Sequence, residues 1–315
     1  MKYNDTSLDP KDIERLTELV SHFQERERRA QKFSDTENRP ALFFGILGIE
    51  PTNLPFVLAD RVVLRPVPEP PGEVELARAL MNRELFAAIG RYSHAIGSEL
   101  VVYTDRFTTT ESATNAAYCI VSGLRIRALI NILVPAVIDR SWSAVAALNN
   151  EVVGRLIEDV PQAWRFESRQ LNQGDWDWVM NHLISIAKLW EAPRFRVALE
   201  SLVEHPHQRS LRMVAATLWA GIEALLDIDT ELRFRLAAYL ASVLEQRGPG
   251  RKELFAKVKK LYDKRSKAVH GGVIGAQALV DSIRETRVLL SRLLCVCVEQ
   301  GHLFTGAELE DLLFL

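Results

Sequence analysis

The chain has 315 residues, of which 48% are hydrophobic and 25% are charged, and its formal net charge is −2. This composition is typical of a soluble globular protein with one or two domains, and the near-neutral charge indicates no particular class of partner. Its three cysteines form neither a disulfide framework nor a metal-ligand set. The sequence opens without an apolar signal region, and arginines interrupt its longest apolar run, 116–138, so we expect a cytoplasmic protein with no membrane span.

Residues 1–170 are predicted to form a mainly helical N-terminal region with a proline-rich segment. Seven of the thirteen prolines lie between Pro40 and Pro71, and they exclude long helices there. Within this segment, residues 56–65 favour a strand or a short strand pair, and residues 66–72 favour a rigid linker. Residues 99–107 are ambiguous between strand and helix. Apolar periodicity predicts helices over 12–33, 73–89, 109–139 (kinked near Pro135) and 141–157.

Residues 171–315 are predicted to form an uninterrupted helical bundle. A turn is expected at Asn172–Asp175 and a break at Gly248–Gly250, where glycine and proline cluster. The expected fold is therefore mainly α, and the proline-rich segment is the candidate for β structure. The expected helices are 176–190, 194–203, 210–226, 231–245, 251–270, 276–299 and 306–315.

Arg265 stands where an apolar residue is expected. The preceding residues of one helix face are Leu254, Val258 and Leu261, and the next step of four reaches Arg265. A guanidinium directed toward the core needs a buried partner or an anionic ligand. Glu223 is a second misplaced charge, on an apolar helix, and we expect it to meet Arg265. In the alternative, Glu223 lies at the edge of its face and reaches water.

His270 follows Arg265 by five residues, which on a regular helix leaves the two side chains about 140° apart. The pair can lie side by side only if the helix ends between them, and Gly271-Gly272 is a strong stop signal. At a helix C-terminus, the dipole would favour the protonated imidazole.

The stretch from Arg251 to His270 has a local excess of six positive charges. A patch of this kind suits a phosphate backbone, although a basic helix face is often only solvated. The bases are Arg251, Lys252, Lys257, Lys259, Lys260, Lys264, Arg265 and Lys267, and the acids are Glu253 and Asp263.

Two segments, 218–226 (LWAGIEALL) and 260–272 (KLYDKRSKAVHGG), resemble the Apea-like branch of the HEPN superfamily. The motif is an arginine followed by a histidine after four to six residues, here Arg265 and His270, and the resemblance covers about residues 175–315. It implies a helical bundle that dimerises with the motif at the interface. Many such proteins are metal-independent ribonucleases of toxin–antitoxin or antiphage systems. Many carry Asn, Asp or His after the arginine, whereas this chain has Ser266.

The resemblance implies a division of roles around a scissile RNA phosphate. His270 would transfer the proton and Arg265 would bind the phosphate oxygens, while Glu223 orients Arg265. Ser266 retains hydrogen-bonding capacity, and Tyr262 either stacks on the substrate, hydrogen-bonds or belongs to the core. RNA-backbone contacts are expected from Lys260, Lys264 and Lys267.

The expected partners are RNA (tRNA is one candidate), a second copy of the chain, and an antitoxin or phage trigger; neither a cofactor nor a metal is expected. His205 and His207 flank a proline but have no carboxylate or cysteine beside them to complete a metal site. In one alternative, the bundle is a non-catalytic binding or scaffold module that Arg265 and Glu223 lock together. In another, the basic helix is a regulatory nucleotide site, although no glycine-rich phosphate loop accompanies it.

Overall fold

A computed structural model describes residues 20–22, 24–33, 39–58, 61–160, 168–228 and 230–314. The chain forms two compact units. The described residues of Met1–Ala113 and Leu133–Val160 make the first, and those of Thr114–Ile132 and Pro161–Leu315 make the second. Residues 114–132 therefore belong to the second unit, although they precede the boundary expected near residue 170.

The elements of both units follow in chain order. The strands are β1 (Ala41–Ile46), β2 (Ile49–Glu50), β3 (Phe56–Leu58), β4 (Val62–Pro66), β5 (Ser98–Tyr103), β6 (Ala136–Ile138), β7 (Gly154–Leu156) and β8 (Arg169–Gln170). The helices are α1 (24–33), α2 (Glu73–Ala79), α3 (Arg83–Ile89), α4 (Thr110–Ala128), α5 (Gln173–Trp190), α6 (Pro193–Glu204), α7 (Leu211–Leu226), α8 (Leu232–Leu244), α9 (Pro249–Val269), α10 (Ala276–Gln300) and α11 (Gly306–Phe314).

The first unit is built on a six-stranded antiparallel sheet in the order β3-β4-β5-β1-β6-β7. Residues 56–65, for which a strand or a short strand pair was expected, form the pair β3 and β4, with Phe56 opposite Leu64. The ambiguous stretch at 99–107 contributes β5. The chain is largely helical, in agreement with the mainly α prediction. The prediction of a helical N-terminal region was wrong where the chain forms this sheet.

Two helices predicted for this region do not form as expected. The helix expected over 109–139 ends at Ala128 as α4, and β6 follows beyond Pro135; the helix expected over 141–157 is replaced by a short 3₁₀ turn at Val145–Ala147 and by β7. All three β6 residues are buried. A strand buried on both faces has no polar alternation, so periodicity does not distinguish it from a buried helix.

Three further boundaries differ from the sequence prediction. The helix over 73–89 is two helices, and the Asn82 side chain caps the second by accepting from Glu84 N and Leu85 N. The predicted linker 66–72 lies within the first unit, where buried Val67 donates its N–H to Gly97 O at 2.9 Å. The predicted helix 12–33 lies mostly outside the described residues, of which 20–22 and 24–33 are helical.

Glu99 on β5 is the polar centre of the first unit. The side chain is fully buried, and it accepts hydrogen bonds from Arg65 Nε (2.8 Å), Ser141 Oγ (2.9 Å) and Trp142 N (2.8 Å). Burial raises the pKa of this carboxyl, and the nearby Arg65 charge opposes that shift. The bonds from Ser141 and Trp142 therefore hold the chain after β6 against the sheet, and the bond from Arg65 links β5 to β4.

The second unit contains the predicted bundle. Helices α5 to α11 agree with the seven predicted helices to within a few residues at each end. Residues 172–175 begin α5 instead of forming a separate turn, because the Asn172 side chain accepts from Asp175 N as its N-cap. Helix α10 packs against α5, α6, α7, α8 and α9. Helices α6 and α7 approach closely at Gly221, where a Cβ atom would lie 2.8 Å from Ser201 Cβ.

We expect Glu99→Ala to lower the free energy of unfolding by about 3 to 5 kcal/mol, the usual cost of removing one partner of a buried ion pair. Glu99→Gln keeps an acceptor oxygen and should lose less. Urea denaturation measures both against Glu84→Ala, which alters an exposed glutamate of α3. Equal stability of Glu99→Ala and Glu84→Ala would contradict the assigned role.

Candidate functional site

The end of α9 is fixed by the two glycines that follow it. Gly271 has a positive φ of 79°, which favours glycine, and Gly272 N donates to Lys267 O at 2.7 Å. This bond is the long hydrogen bond of a Schellman motif, and it stops the helix. His270 is the C-cap residue, its N–H donates to Ser266 O, and its side chain is exposed. The predicted stop signal is confirmed.

Arg265 and Glu223 meet between α9 and α7. Arg265 Nη2 lies 3.5 Å from Glu223 Oε1, and the two side chains are 18% and 22% exposed, respectively. The expected pairing of the two misplaced charges is therefore present. The distance is that of an ion pair rather than of a close hydrogen bond. The carboxylate therefore balances the guanidinium charge but does not saturate its hydrogen-bond donors.

The Tyr262 ring contacts this ion pair, and the Trp219 ring contacts Tyr262. The guanidinium carbon of Arg265 lies 5.5 Å from the Tyr262 ring centroid, a cation–π contact. Tyr262 is nearly buried, and its ring meets the Trp219 ring edge-on, at a centroid distance of 5.1 Å and an angle of 87°. Tyr262 is thus a core residue that contacts the site. Of the roles expected for it, membership of the core is the one that its burial fits.

The cluster formed by Trp219, Glu223, Tyr262 and Arg265 has unusual electrostatics. Burial raises the pKa of Glu223, while the Arg265 charge lowers it; burial also raises the pKa of Tyr262. Among the described protein groups, none forms a hydrogen bond with Trp219 Nε1, Glu223 Oε1 or Arg265 Nε, although all three atoms are buried. The cluster therefore has more hydrogen-bonding capacity than its members use on one another.

Arg265 and His270 leave α9 in different directions. Side-by-side placement in one copy requires the helix to end between the two residues. The helix instead continues through Val269. Regular helix geometry separates residues five apart by about 140°. One copy of the chain thus has a shielded guanidinium on the α7 side and an exposed imidazole on another side.

The three lysines expected at the RNA backbone share the outer side of α9. Lys260, Lys264 and Lys267 are spaced by four and three residues; Lys264 is half-buried, and the other two are exposed. They come from the basic stretch identified in the sequence.

Not all charges of that basic stretch point outward. Lys257 pairs with Glu285 at 2.6 Å, and Arg251 donates to the carbonyls of Glu245 and Leu312. These two side chains therefore connect α9 to neighbouring elements.

Arg212, on the first turn of α7, was not predicted. Its Nη1 donates to Ala268 O at 2.8 Å, and its Nη2 lies 3.5 Å from Gly272 O, so it binds the C-terminal end of α9 on either side of His270. The negative end of the helix dipole also favours a cation at this position. No periodicity indicates this contact, because it depends on how α7 packs against α9.

Exposed apolar side chains surround the same end of α9. Leu211 and Met213 flank Arg212 along the chain, and Val269 and Val273 flank its acceptor groups. Val273 is 97% exposed.

Comparisons with protein-family models, with curated proteins and with solved structures gave no match to this chain. Within the described ranges, no helix has both the length and the hydrophobicity that a bilayer span requires. In the same part of the chain, no group of three or more His, Cys, Asp or Glu residues is placed to hold a metal ion.

His205 is buried; burial lowers its pKa to about 4, and its Nδ1 lies 2.7 Å from Leu202 O.

We expect Arg265→Ala to lower the free energy of unfolding by about 2 to 3 kcal/mol, because it leaves a shielded carboxylate without its cation. This is below the cost for a fully buried pair, since water still reaches both side chains. Thermal and urea denaturation measure the effect. The double variant Arg265→Ala/Glu223→Gln should lose less than Arg265→Ala alone, and exposed His270→Ala should stay within about 0.5 kcal/mol of wild type. A double variant as unstable as the sum of its parts would exclude the interaction.

Proposed function

We propose that the second unit is a metal-independent ribonuclease of the HEPN type, acting as a dimer on an RNA such as tRNA. The observation that carries the proposal is the combination of a shielded, incompletely hydrogen-bonded Arg265 with an exposed His270 at the same helix end. The resemblance of residues 218–226 and 260–272 extends the proposal to a toxin or antiphage effector. Its partner would then be an antitoxin or a phage trigger.

The proposed reaction uses the RNA 2′-hydroxyl as the nucleophile. The 2′-oxygen forms a bond to the adjacent phosphorus as its proton passes to a base, and the bond from phosphorus to the 5′-oxygen breaks as that oxygen takes a proton. The products are a 2′,3′-cyclic phosphate and a 5′-hydroxyl end. His270 serves as base or acid, because a neutral imidazole accepts a proton and an imidazolium donates one, and Arg265 stabilises charge on the phosphate oxygens.

The dimer follows from the geometry of α9 in this proposal. Since Arg265 and His270 leave α9 in different directions, two copies related by a twofold axis would supply Arg265 from one chain and His270 from the other. The exposed side chains of Leu211, Met213, Val269 and Val273 provide apolar area for such an interface.

Glu223, Arg212 and the lysines have supporting roles in this proposal. Glu223 orients the guanidinium, and Arg212 holds the chain on both sides of His270. The outer lysines, Lys260, Lys264 and Lys267, attract the RNA backbone. Ser266 lies one residue beyond Arg265 and accepts the His270 N–H through its carbonyl.

A second function is favoured by a different observation. The contacts of Arg265 with Glu223 and with the Tyr262 ring are those of a residue that locks two helices together. In this alternative, the unit binds RNA or a nucleotide, or acts as a scaffold, without cleavage.

Purified protein should cleave tRNA or total RNA in the presence of EDTA and leave single-stranded DNA of the same sequence intact, because DNA lacks the 2′-hydroxyl. We expect His270→Ala to slow cleavage by about 100-fold or more, the usual contribution of a general acid–base. His94→Ala, which changes an exposed histidine of the first unit, is the matched control.

Analysis of the product ends separates the two functions. A 2′,3′-cyclic phosphate that forms with wild type and His94→Ala but not with His270→Ala supports the nuclease. If wild type and His270→Ala give the same products at the same rate, the nuclease assignment is wrong. RNA binding without cleavage would favour the alternative.

A further inference from the structure

Helices α8 and α9 form an exposed surface of which the proposed function uses only Ser266 and His270. At about 100° per residue, Phe255, Lys259, Asp263, Ser266 and His270 fall within about 80° of one another around α9. They form a stripe along the α8 side of that helix. From Phe255 to His270, the stripe is about 22 Å long at 1.5 Å per residue.

Helix α8 adds two side chains to this stripe. Arg233 makes a bidentate ion pair with Asp263, at 2.6 and 2.7 Å. Phe234 packs edge-on against Phe255, with 5.7 Å between ring centroids and an angle of 77°. We use the name α8–α9 stripe for Arg233, Phe234 and the five α9 residues together.

The stripe has an exposed aromatic platform. Phe234 is 57% exposed although it is a large apolar side chain in the first turn of a helix. Phe255 is partly buried and supports its edge, and Lys259 Nζ lies 5.2 Å from the Phe255 ring centroid. An aromatic ring that is held by a neighbouring ring and has more than half of its surface exposed is suited to stack with another flat group.

The stripe is also positively charged. The pKa of Asp263 lies below its usual value, chiefly because Arg233 donates hydrogen bonds to the carboxylate. The nearby Lys259 and Lys267 charges lower it further. One carboxylate therefore faces three cations. Two further acids lie close to the stripe in sequence: Glu231, which precedes α8, and exposed Glu253 on α9.

We propose that the α8–α9 stripe binds single-stranded RNA, with one base stacked on Phe234 and the backbone following Lys259 and Lys267 toward His270. This inference rests on the proposed function, and it identifies the substrate as unpaired RNA read at a distance from the cleavage point. Aromatic rings between cations are the usual platform for unpaired bases, whereas bases in a duplex are stacked on one another and do not reach the ring. A single exposed ring is a small apolar area for a protein partner.

Fluorescence anisotropy with a 5′-labelled RNA of about 12 nucleotides, single-stranded or in a duplex, tests the proposal. A His270→Ala background removes the proposed cleavage during the measurement, and EDTA inhibits contaminating metal-dependent nucleases. We expect Phe234→Ala in this background to weaken single-strand binding about 5- to 100-fold, which is the usual cost of one lost base stack. Phe234→Tyr should retain affinity, and Phe234→Leu should lose it, because only tyrosine keeps a flat ring. Duplex binding should be weaker and should not depend on Phe234.

The matched control is Phe314→Ala, which removes an 80% exposed phenylalanine from α11. Thermal melting checks that each variant is folded. The proposal is overturned if Phe234→Ala binds single strands as Phe314→Ala does, or if Phe234→Leu binds as Phe234→Tyr does. It is also overturned if the duplex binds as tightly as the single strand.

The outcome is separable from that of the proposed function. Binding that depends on Phe234 in a protein that cuts no RNA supports the stripe and rejects the nuclease. Cleavage that depends on His270 but not on Phe234, measured in the variants that keep His270, supports the nuclease and rejects the stripe.

Discussion

The interaction on which the rest of the second unit depends is the ion pair between Arg265 on α9 and Glu223 on α7. Two charges shielded from water are costly unless they meet, so the pair favours the alignment of α7 and α9 in which Glu223 faces Arg265. That alignment brings Tyr262 against Trp219 and places Arg212 at the end of α9. Because the guanidinium is held on the α7 side, the rest of α9 is left to present His270, the outer lysines and the α8–α9 stripe to solvent.

The bundle could be predicted because its local signals agree with its packing. Ser210 caps α7, Pro249 opens α9, and Gly271-Gly272 closes it, so the helix ends are recognisable from residue type. The pairing of Arg265 with Glu223 is predictable from sequence because each interrupts an apolar face, and a charge in that position needs a partner. The position of His270 relative to Arg265 was less predictable, since it depended on where the helix ends.

The sheet of the first unit could not be predicted to the same extent. Its strands β5 and β6 are almost wholly buried, so they lack the polar alternation by which a half-exposed strand is recognised. Glu99 would be read as exposed in a sequence, yet it is the buried acceptor that joins β5 to the chain after β6. Arg212 and Phe234 were missed for a related reason: their roles come from neighbouring helices, which no spacing within α7 or α8 reveals.

The central claim is that two copies of the chain supply Arg265 and His270 to one RNA-cleaving site. Its most direct measurement is the cleavage rate of a dimer that joins an Arg265→Ala protomer to a His270→Ala protomer, co-expressed with different tags and purified on both. Such a dimer retains one site with an intact arginine and an intact histidine if the groups converge across the interface, and we predict about half of the wild-type rate. A mixed dimer no more active than either parent variant would contradict the account.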